Sequence, residues 1–394
     1  MNGTIYMPVG EVCSSISDTY REKKNMVTLI NTSDVLEGRV LNHERVPNSN
    51  LKGQFKKTFQ RDDILYSEIR PQNRRFAYVD FSPIDYIAST KLMVIRAKKD
   101  VVSPKYLYYF LKNSSTVAEL QLLAETRSGT FPQITFSEVA NLTIPVPSLA
   151  VQEVIVQTMQ CLEDKITCNE QINDNLYAQA KATTKQWISK STGDYELLPL
   201  SDIASINPDT YSPKETWKYV NYLDTSSITE GCIAEIQHIT PSSEKLPSRA
   251  RRKIAPNDIV FSTVRPNQRH YGIISEPLPN MLGSTGFAVI RSKNPLVCNE
   301  LIYLCLTENE FIEKMQQLAE QSTSTFPSIK PSDLGVCEIP CPKDQSSTSF
   351  TETLKSLFAL IAANQRENIS LSEIRDVLLP KLMSGEIDVS DIQL

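Results

Sequence analysis

A chain that repeats itself must use one folding plan twice, and this one does so at an offset of 195 residues. The stretch ILYSEIRPQNRRFAYV, from Ile64 to Val79, returns as IVFSTVRPNQRHYGII, from Ile259 to Ile274. The same offset pairs SGTFPQI (from Ser128) with TSTFPSI (from Thr323) and STKLMVIR (from Ser89) with STGFAVIR (from Ser284). It also pairs TIPVP (from Thr143) with EIPCP (from Glu338), while an offset of 193 matches LINTSDVLEG (from Leu29) to YLDTSSITEG (from Tyr222). One register with small insertions serves about 160 residues of each half. At 394 residues the chain is also too long for one ordinary core.

Each copy divides in two. Its first part, 1–147 or 195–342, is rich in short β-branched and aromatic runs broken by Pro, Asn, Asp and Ser. Ile64–Ile69, Phe76–Phe81 and Leu92–Ile95 read as strands, and Lys105–Lys112 as a helix start, which predicts a compact α+β domain. Beyond the PVP and PCP punctuation, where proline ends a strand, the pattern changes. Ile155, Met159, Leu162, Ile166, Asn169, Asn173 and Leu176 fall at alternating spacings of four and three, a heptad seam. Phe350, Leu354, Leu357, Ile361, Asn364, Asn368 and Leu371 repeat it in the same phase, paired asparagines included. Gly and Pro are absent from Val151 to Thr192, so a helix of about 40 residues, about 60 Å long, is expected there. Segments 148–194 and 343–394 are therefore read as helical spacers. Either each helix packs on its own domain, or the two zip together antiparallel with approximate two-fold symmetry. The long narrow seam in both copies favours the second arrangement.

The net charge of −5 argues against generic binding to nucleic acid. Residues 1–147 carry 19 Lys and Arg against 15 Asp and Glu, whereas residues 195–342 carry 13 against 17. A surface for a polyanion must then be a local patch. The start, MNGTIYMPVGEV, lacks the basic and apolar regions of a secretion signal, and no apolar run suggests a membrane span. The eight cysteines show no CxxC spacing and lie far from the three histidines, so reduced thiols in a cytoplasm are expected, not a zinc site or disulfides. No phosphate loop, dinucleotide turn, HExxH or GxSxG pattern occurs, and neither Asn-Pro site carries the second proline and aromatic residue of adenine methyltransferases. No catalytic residue, metal or cofactor is expected of this chain alone.

The repeated stretch carries the chemistry. Its proline-stiffened turn bears Arg70, Gln72, Asn73, Arg74 and Arg75, and in the twin Arg265, Asn267, Gln268, Arg269 and His270. Arginine bonds both major-groove acceptors of guanine, and Asn or Gln bonds adenine bidentately. Arginine also grips phosphates without reading sequence. Identity of Arg70 with Arg265 and of Arg74 with Arg269 suggests a shared task, in scaffold or phosphate contact, and leaves base discrimination to the positions that differ. A second basic cluster, SRARRKI (Ser248–Ile254), precedes the second turn, and KGQFKK (Lys52–Lys57) holds its place in the first copy.

Two variable modules, each followed by a long helix with a repeated sequence, resemble the specificity subunit of a type I restriction-modification enzyme. The likeness is carried by TFPQITFSEVANLTIPVPSLAVQEVI and LEDKITCNEQINDNL in the first half, and by TFPSIKPSDLGVCEIPCP and LLPKLMSGEIDV in the second. It implies two target recognition domains, each reading one half of a split site in double-stranded DNA. It also implies helices that pair through Leu162, Ile166, Asn169, Asn173, Leu176, Leu357, Ile361, Asn364, Asn368 and Leu371 and act as a ruler. Methyltransferase (modification) subunits would dock there, and through them the restriction translocase-nuclease. The second helical segment departs from the pattern, opening PKDQSSTSFTETL where the first has PSLAVQEVIVQTM. Two other functions remain open to the sequence: a stand-alone bipartite DNA-binding protein, and a coiled-coil scaffold whose modules bind peptides.

Overall fold

The computed structural model describes residues 4–49, 53–127, 131–190, 193–212, 214–322 and 327–389. Ser128 to Thr130 and Thr323 to Phe326, which open the repeated TFP motifs, lie outside the described residues, as does Lys52 of the first basic cluster. By internal contacts the chain parts into two units. One comprises Met1–Thr167 with Glu367–Leu394, the other Cys168–Arg366. Both are α+β.

In the first unit an antiparallel sheet runs in the order Cys13–Ile16, Leu92–Ala97, Ile64–Ser67, Phe76–Tyr78. A second sheet runs Val46–Pro47, Met26–Ile30, Tyr86–Ser89, Phe55–Lys57, with Met26–Ile30 and Tyr86–Ser89 parallel. A two-stranded ribbon joins Ile5–Pro8 to Thr143–Val146. The second unit repeats both sheets in the same order. The first is Ala204–Ile206, Phe287–Ser292, Asp258–Ser262, Tyr271–Ile274; the second is Gln237–Ile239, Val220–Leu223, Met281–Ser284, Ala250–Lys253. Its ribbon pairs Tyr195–Pro199 with Glu338–Pro342.

The strand leading into the Arg-Pro turn shows why the apolar run is continuous. All of Ile64–Ser67 is buried, as is all of Asp258–Ser262. Alternate side chains of a strand point to opposite faces, so a run buried on both faces shows no polar alternation. Ile64 and Tyr66 enter the core shared with the helices, while Leu65 enters the core between the sheets with Ile30, Leu92 and Val94. Ile259 and Phe261 divide from Val260 in the same way. Burying each such side chain contributes about 1.5–3 kcal/mol. Both copies also carry a buried acid at one site. Asp63, fully buried, takes a forked pair of bonds from Arg96 (2.7 Å each), and Asp258 does so from Arg291 (2.7 and 2.8 Å). Each carboxylate also accepts a backbone N–H, from Gln60 and from Ala255 (2.8 Å each), so the charge is satisfied where it is dry.

Two long helices span Leu149–Lys190 and Thr348–Ser384. In the second unit they run antiparallel. Trp187 stacks on Phe350 with ring centroids 4.4 Å apart, Tyr177 meets Phe358 edge-on, and the Asn364 amide donates to Asn173 Oδ1 at 2.8 Å. In the first unit Lys165 pairs with Glu367 at 3.0 Å and Asn368 Nδ2 approaches the Ile166 carbonyl at 3.4 Å. There Ile155 and Met159 share a core with Leu379, Leu382 and Met383. Among the remaining seam positions, Asn169 and Leu357 are buried, while Leu162, Ile166, Leu176, Ile361 and Leu371 are half-buried.

The two helices start differently, and the reason is local. Gln152, fully buried, accepts from the Ser103 N–H (2.8 Å) and donates to the carbonyls of Pro147 (2.9 Å) and Val101 (3.2 Å). The equivalent position in the second copy is Ser347, whose hydroxyl oxygen accepts from the Trp187 indole N–H at 3.1 Å. Asp344 caps the preceding turn through the Ser346 N–H (2.8 Å). All eight cysteines are unpaired thiols, and among the described residues no helix is long and apolar enough to cross a membrane.

Candidate nucleic-acid interface

The strand Ile64–Ser67 stops earlier than its sequence suggests because Ser67 turns the chain. Its hydroxyl oxygen accepts from the Ile69 N–H at 3.0 Å, and Ser262 does the same for Val264 at 3.2 Å. The chain then enters a short 3-10 turn, Pro71–Asn73 in one unit and Pro266–Gln268 in the other, flanked by left-handed residues. Arg70, Arg74, Arg265 and Arg269 have φ of 43°, 51°, 46° and 57°. A side chain in that region costs about 1–2 kcal/mol, and both copies carry the cost twice. Proline removes an N–H that would have no partner at the turn's start and sets the next φ.

Three separated segments hold each turn. The amide of Arg70 donates to the Pro132 carbonyl (3.1 Å) and that of Arg265 to the Pro327 carbonyl (2.9 Å), so the TFP motif and the turn are one feature in space. Ile134 then donates to the Glu68 carbonyl, as Ile329 does to that of Thr263. From the helices Ser114–Arg127 and Asn309–Ser322, Gln121 and Gln316 accept the amides of Gln72 and Asn267 at 3.2 Å each. Sequence reading passed over these two glutamines, although their match at the 195-residue offset marks them. The third segment is the Glu-Gly loop, where the amides of Glu37 and Glu230 bond the carbonyls of Arg74 and Arg269 (2.9 Å each). Gly38, at φ 105°, follows against Tyr108, where a side chain would collide with the hydroxyl.

These contacts sort the ten arginine, amide and histidine residues of the turns. Arg74 reaches the Ser114 hydroxyl (2.8 Å) and lies 4.0 Å from Glu37; Arg269 reaches Asn309 (2.9 Å) and Glu230 (3.1 Å). Arg75 donates to the Ser33 carbonyl (3.0 Å), and His270 Nδ1 lies 2.6 Å from the Ile228 carbonyl. Those four side chains bond within their own units. Arg70, Gln72, Asn73, Arg265, Asn267 and Gln268 are exposed. Each turn thus presents one arginine and two amides to solvent, in the order Gln-Asn in one unit and Asn-Gln in the other.

Residues 6–178 match the family model described as type I restriction modification DNA specificity domain. Along 92% of its length the chain is 28% identical to the specificity subunit of the type I restriction enzyme HindI of Haemophilus influenzae, covering 94% of that protein. The chain is thus similar, along nearly its whole length, to specificity subunits of type I restriction enzymes. A second relative is the specificity subunit of the MjaIX enzyme of Methanocaldococcus jannaschii, 24% identical over 79% of this chain and 77% of that one. Among solved structures, the type I restriction-modification S subunit from M. genitalium shares the fold with a TM-score of 0.54 at 16% identity, over 97% of this chain and 96% of that one.

Proposed function

We propose that this chain is a specificity subunit that reads a two-part, gapped site in double-stranded DNA, one half-site per unit, and carries out no catalytic step. The observation that carries the reading is the duplicated turn. The same strained backbone, held by equivalent contacts in both units, presents different exposed amides, Gln72-Asn73 against Asn267-Gln268. A common scaffold with variable tips is what two readers of two different half-sites require. Arg70 and Arg265 stand at the same edge and are suited to guanine or to phosphate. In this assignment Arg74, Arg269, Arg75 and His270 shape the turn, and their exposed edges lie next to the DNA.

The parts 1–147 and 195–342 act as the two recognition domains, and 148–194 with 343–394 form a spacer of paired helices. Methyltransferase subunits dock on the spacer in the cytoplasm, and the translocase-nuclease subunit joins through them. Dividing the site multiplies discrimination, since each mismatched base pair costs about 1–3 kcal/mol. A stiff spacer raises effective concentration only on DNA with the correct gap.

The test is to co-express the chain with the methyltransferase encoded beside it and map methylated adenines across the genome. A gapped two-part motif is expected. An active methyltransferase that leaves no such motif in the presence of this chain would overturn the proposal.

A further inference from the structure

With the Arg-Pro turns described, the second unit has a strongly charged feature that they do not use. Its edge strand Ala250–Lys253, with the residue before it, places Arg249, Arg251 and Arg252 within four positions. Among the described residues no carboxylate lies within 4.0 Å of any of the three, although they sit in a region with 13 basic against 17 acidic residues. The neighbouring cations are engaged: Lys253 binds Glu215 (2.7 Å), Arg269 binds Glu230 and Arg291 binds Asp258. Arg249 is exposed, and its charge acts on the Tyr222 hydroxyl, which itself donates to Asp224 (2.9 Å). Among the described residues the Arg251 guanidinium donates to the Ser248 carbonyl of its own turn (3.3 Å) and meets no carboxylate. Arg252 is half-buried and its Nε has no hydrogen-bond partner among the described residues; burial lowers its pKa.

The first unit treats the residue at the place of Arg252 differently. Register puts Lys57 where Arg252 stands, since Lys57 pairs with Ala88 as Arg252 pairs with Gly283. Lys57 turns inward and donates to the carbonyls of Thr90 (3.1 Å) and Leu92 (2.8 Å). Gln54 and Lys56 hold the positions of Arg249 and Arg251. On this strand the first unit keeps Lys56 exposed and turns Lys57 inward, whereas the second leaves three guanidinium groups without an acidic partner among the described residues. Three guanidinium groups kept close together inside an acidic unit favour an anionic partner.

We infer that Arg249, Arg251 and Arg252 grip the sugar-phosphate backbone of the DNA beside the half-site of the second unit, independently of base sequence. This deepens the DNA-reading function proposed above and rests on it. The second unit then supplies the stronger phosphate anchor, and the first relies on its more basic composition. Phosphate contacts release counterions, so each contact contributes about 0.9 to the slope of log affinity against log salt.

The experiment uses the chain purified with its methyltransferase and measures binding to a duplex carrying the mapped motif, and to one lacking it, from 50 to 200 mM salt, conditions that span the sensitive range at roughly physiological strength. Arg249→Gln with Arg251→Gln is expected to weaken both duplexes by the same factor and to lower the slope by about 2. The methylated motif should stay unchanged. Arg252→Lys, which copies the first unit's residue and is expected to fold normally, should lower affinity at unchanged thermal stability. Unchanged affinity and slope in these variants, with the motif still methylated, would overturn the phosphate grip and leave the DNA-reading function standing. A change in the methylated motif would overturn it in favour of base reading. Normal DNA binding by the isolated variant chain with lost co-purification of the methyltransferase would overturn it in favour of an acidic protein partner. Absence of any preference for the motif in the wild-type complex would overturn the DNA-reading function itself.

Discussion

At the residue scale the duplicated plan makes each copy a control for the other. Tyr66 stacks on Phe76 with ring centroids 5.5 Å apart, and its buried hydroxyl has no hydrogen-bond partner among the described residues. Burial pushes its pKa well up, as expected where the charged form would be dry. The twin position holds Phe261 beside Tyr271 in the same stacked arrangement. An unsatisfied hydroxyl costs about 1–3 kcal/mol, so Tyr66→Phe should stabilise the protein by about 1 kcal/mol. Denaturant unfolding checks this, and a destabilised variant would mean that the hydroxyl is satisfied in solution. The turn amides make a second case. Gln72→Ala with Asn73→Ala leaves the backbone contacts to Gln121 and Pro132 in place, because those use main-chain N–H groups. It should relax one half of the methylated motif while thermal stability stays within about 0.5 kcal/mol of wild type, as for other exposed substitutions. An unaltered motif would assign the amides to structure.

At the element scale the long helices are held by a seam of apolar and aromatic residues that also carries asparagines, two of them bonded to each other. Asn364 donates to Asn173 at 2.8 Å in the second unit, between the Tyr177–Phe358 contact and the unit's end. A seam of leucines would bind more strongly but accept more than one register, whereas a hydrogen-bonded asparagine pair fits one. Asn173→Leu alone should cost about 1–3 kcal/mol, since it strands the Asn364 amide. Adding Asn364→Leu should recover that loss or exceed it, because apolar replacement of both partners removes the desolvation cost. Unfolding of the two single variants and the double variant forms a mutant cycle, and additive losses would show that the pair is not coupled. The unequal helix starts belong to this scale too. Gln152 ties one helix to the carbonyls of Val101 and Pro147, and the Trp187–Ser347 bond ties the other through its partner helix.

For the whole molecule, two self-contained cores make the units separable in function. The core around Tyr106, Ile155 and Leu382 lies entirely in the first unit, and that around Phe261, Leu301 and Leu354 entirely in the second. Exchanging residues 1–147 for the matching part of another family member should therefore change one half of the methylated motif and leave the gap length as it was. Methylome mapping reads both at once. Alteration of both halves would contradict independent recognition.

The two-copy plan, the phase of the helical seam and the place of the Arg-Pro turn were all legible in one dimension. Repeats are found by comparing the chain with itself, and helical periodicity is a property of neighbours. The resemblance to type I restriction-modification specificity subunits rested on the same long stretches. What the turn's residues do was not legible, because their partners are distant in sequence: Gln121 lies 49 positions from Gln72, and Ser114 lies 40 from Arg74. Packing brought those groups together, and so committed Arg74 and Arg269 to the scaffold while leaving Gln72, Asn73, Asn267 and Gln268 exposed. It also separated two basic strands that look alike as text. Lys57 is consumed by the carbonyls of Thr90 and Leu92, whereas the three arginines of the second unit are left without an acidic partner. Composition counts charges, but only the folded chain shows which of them are already engaged.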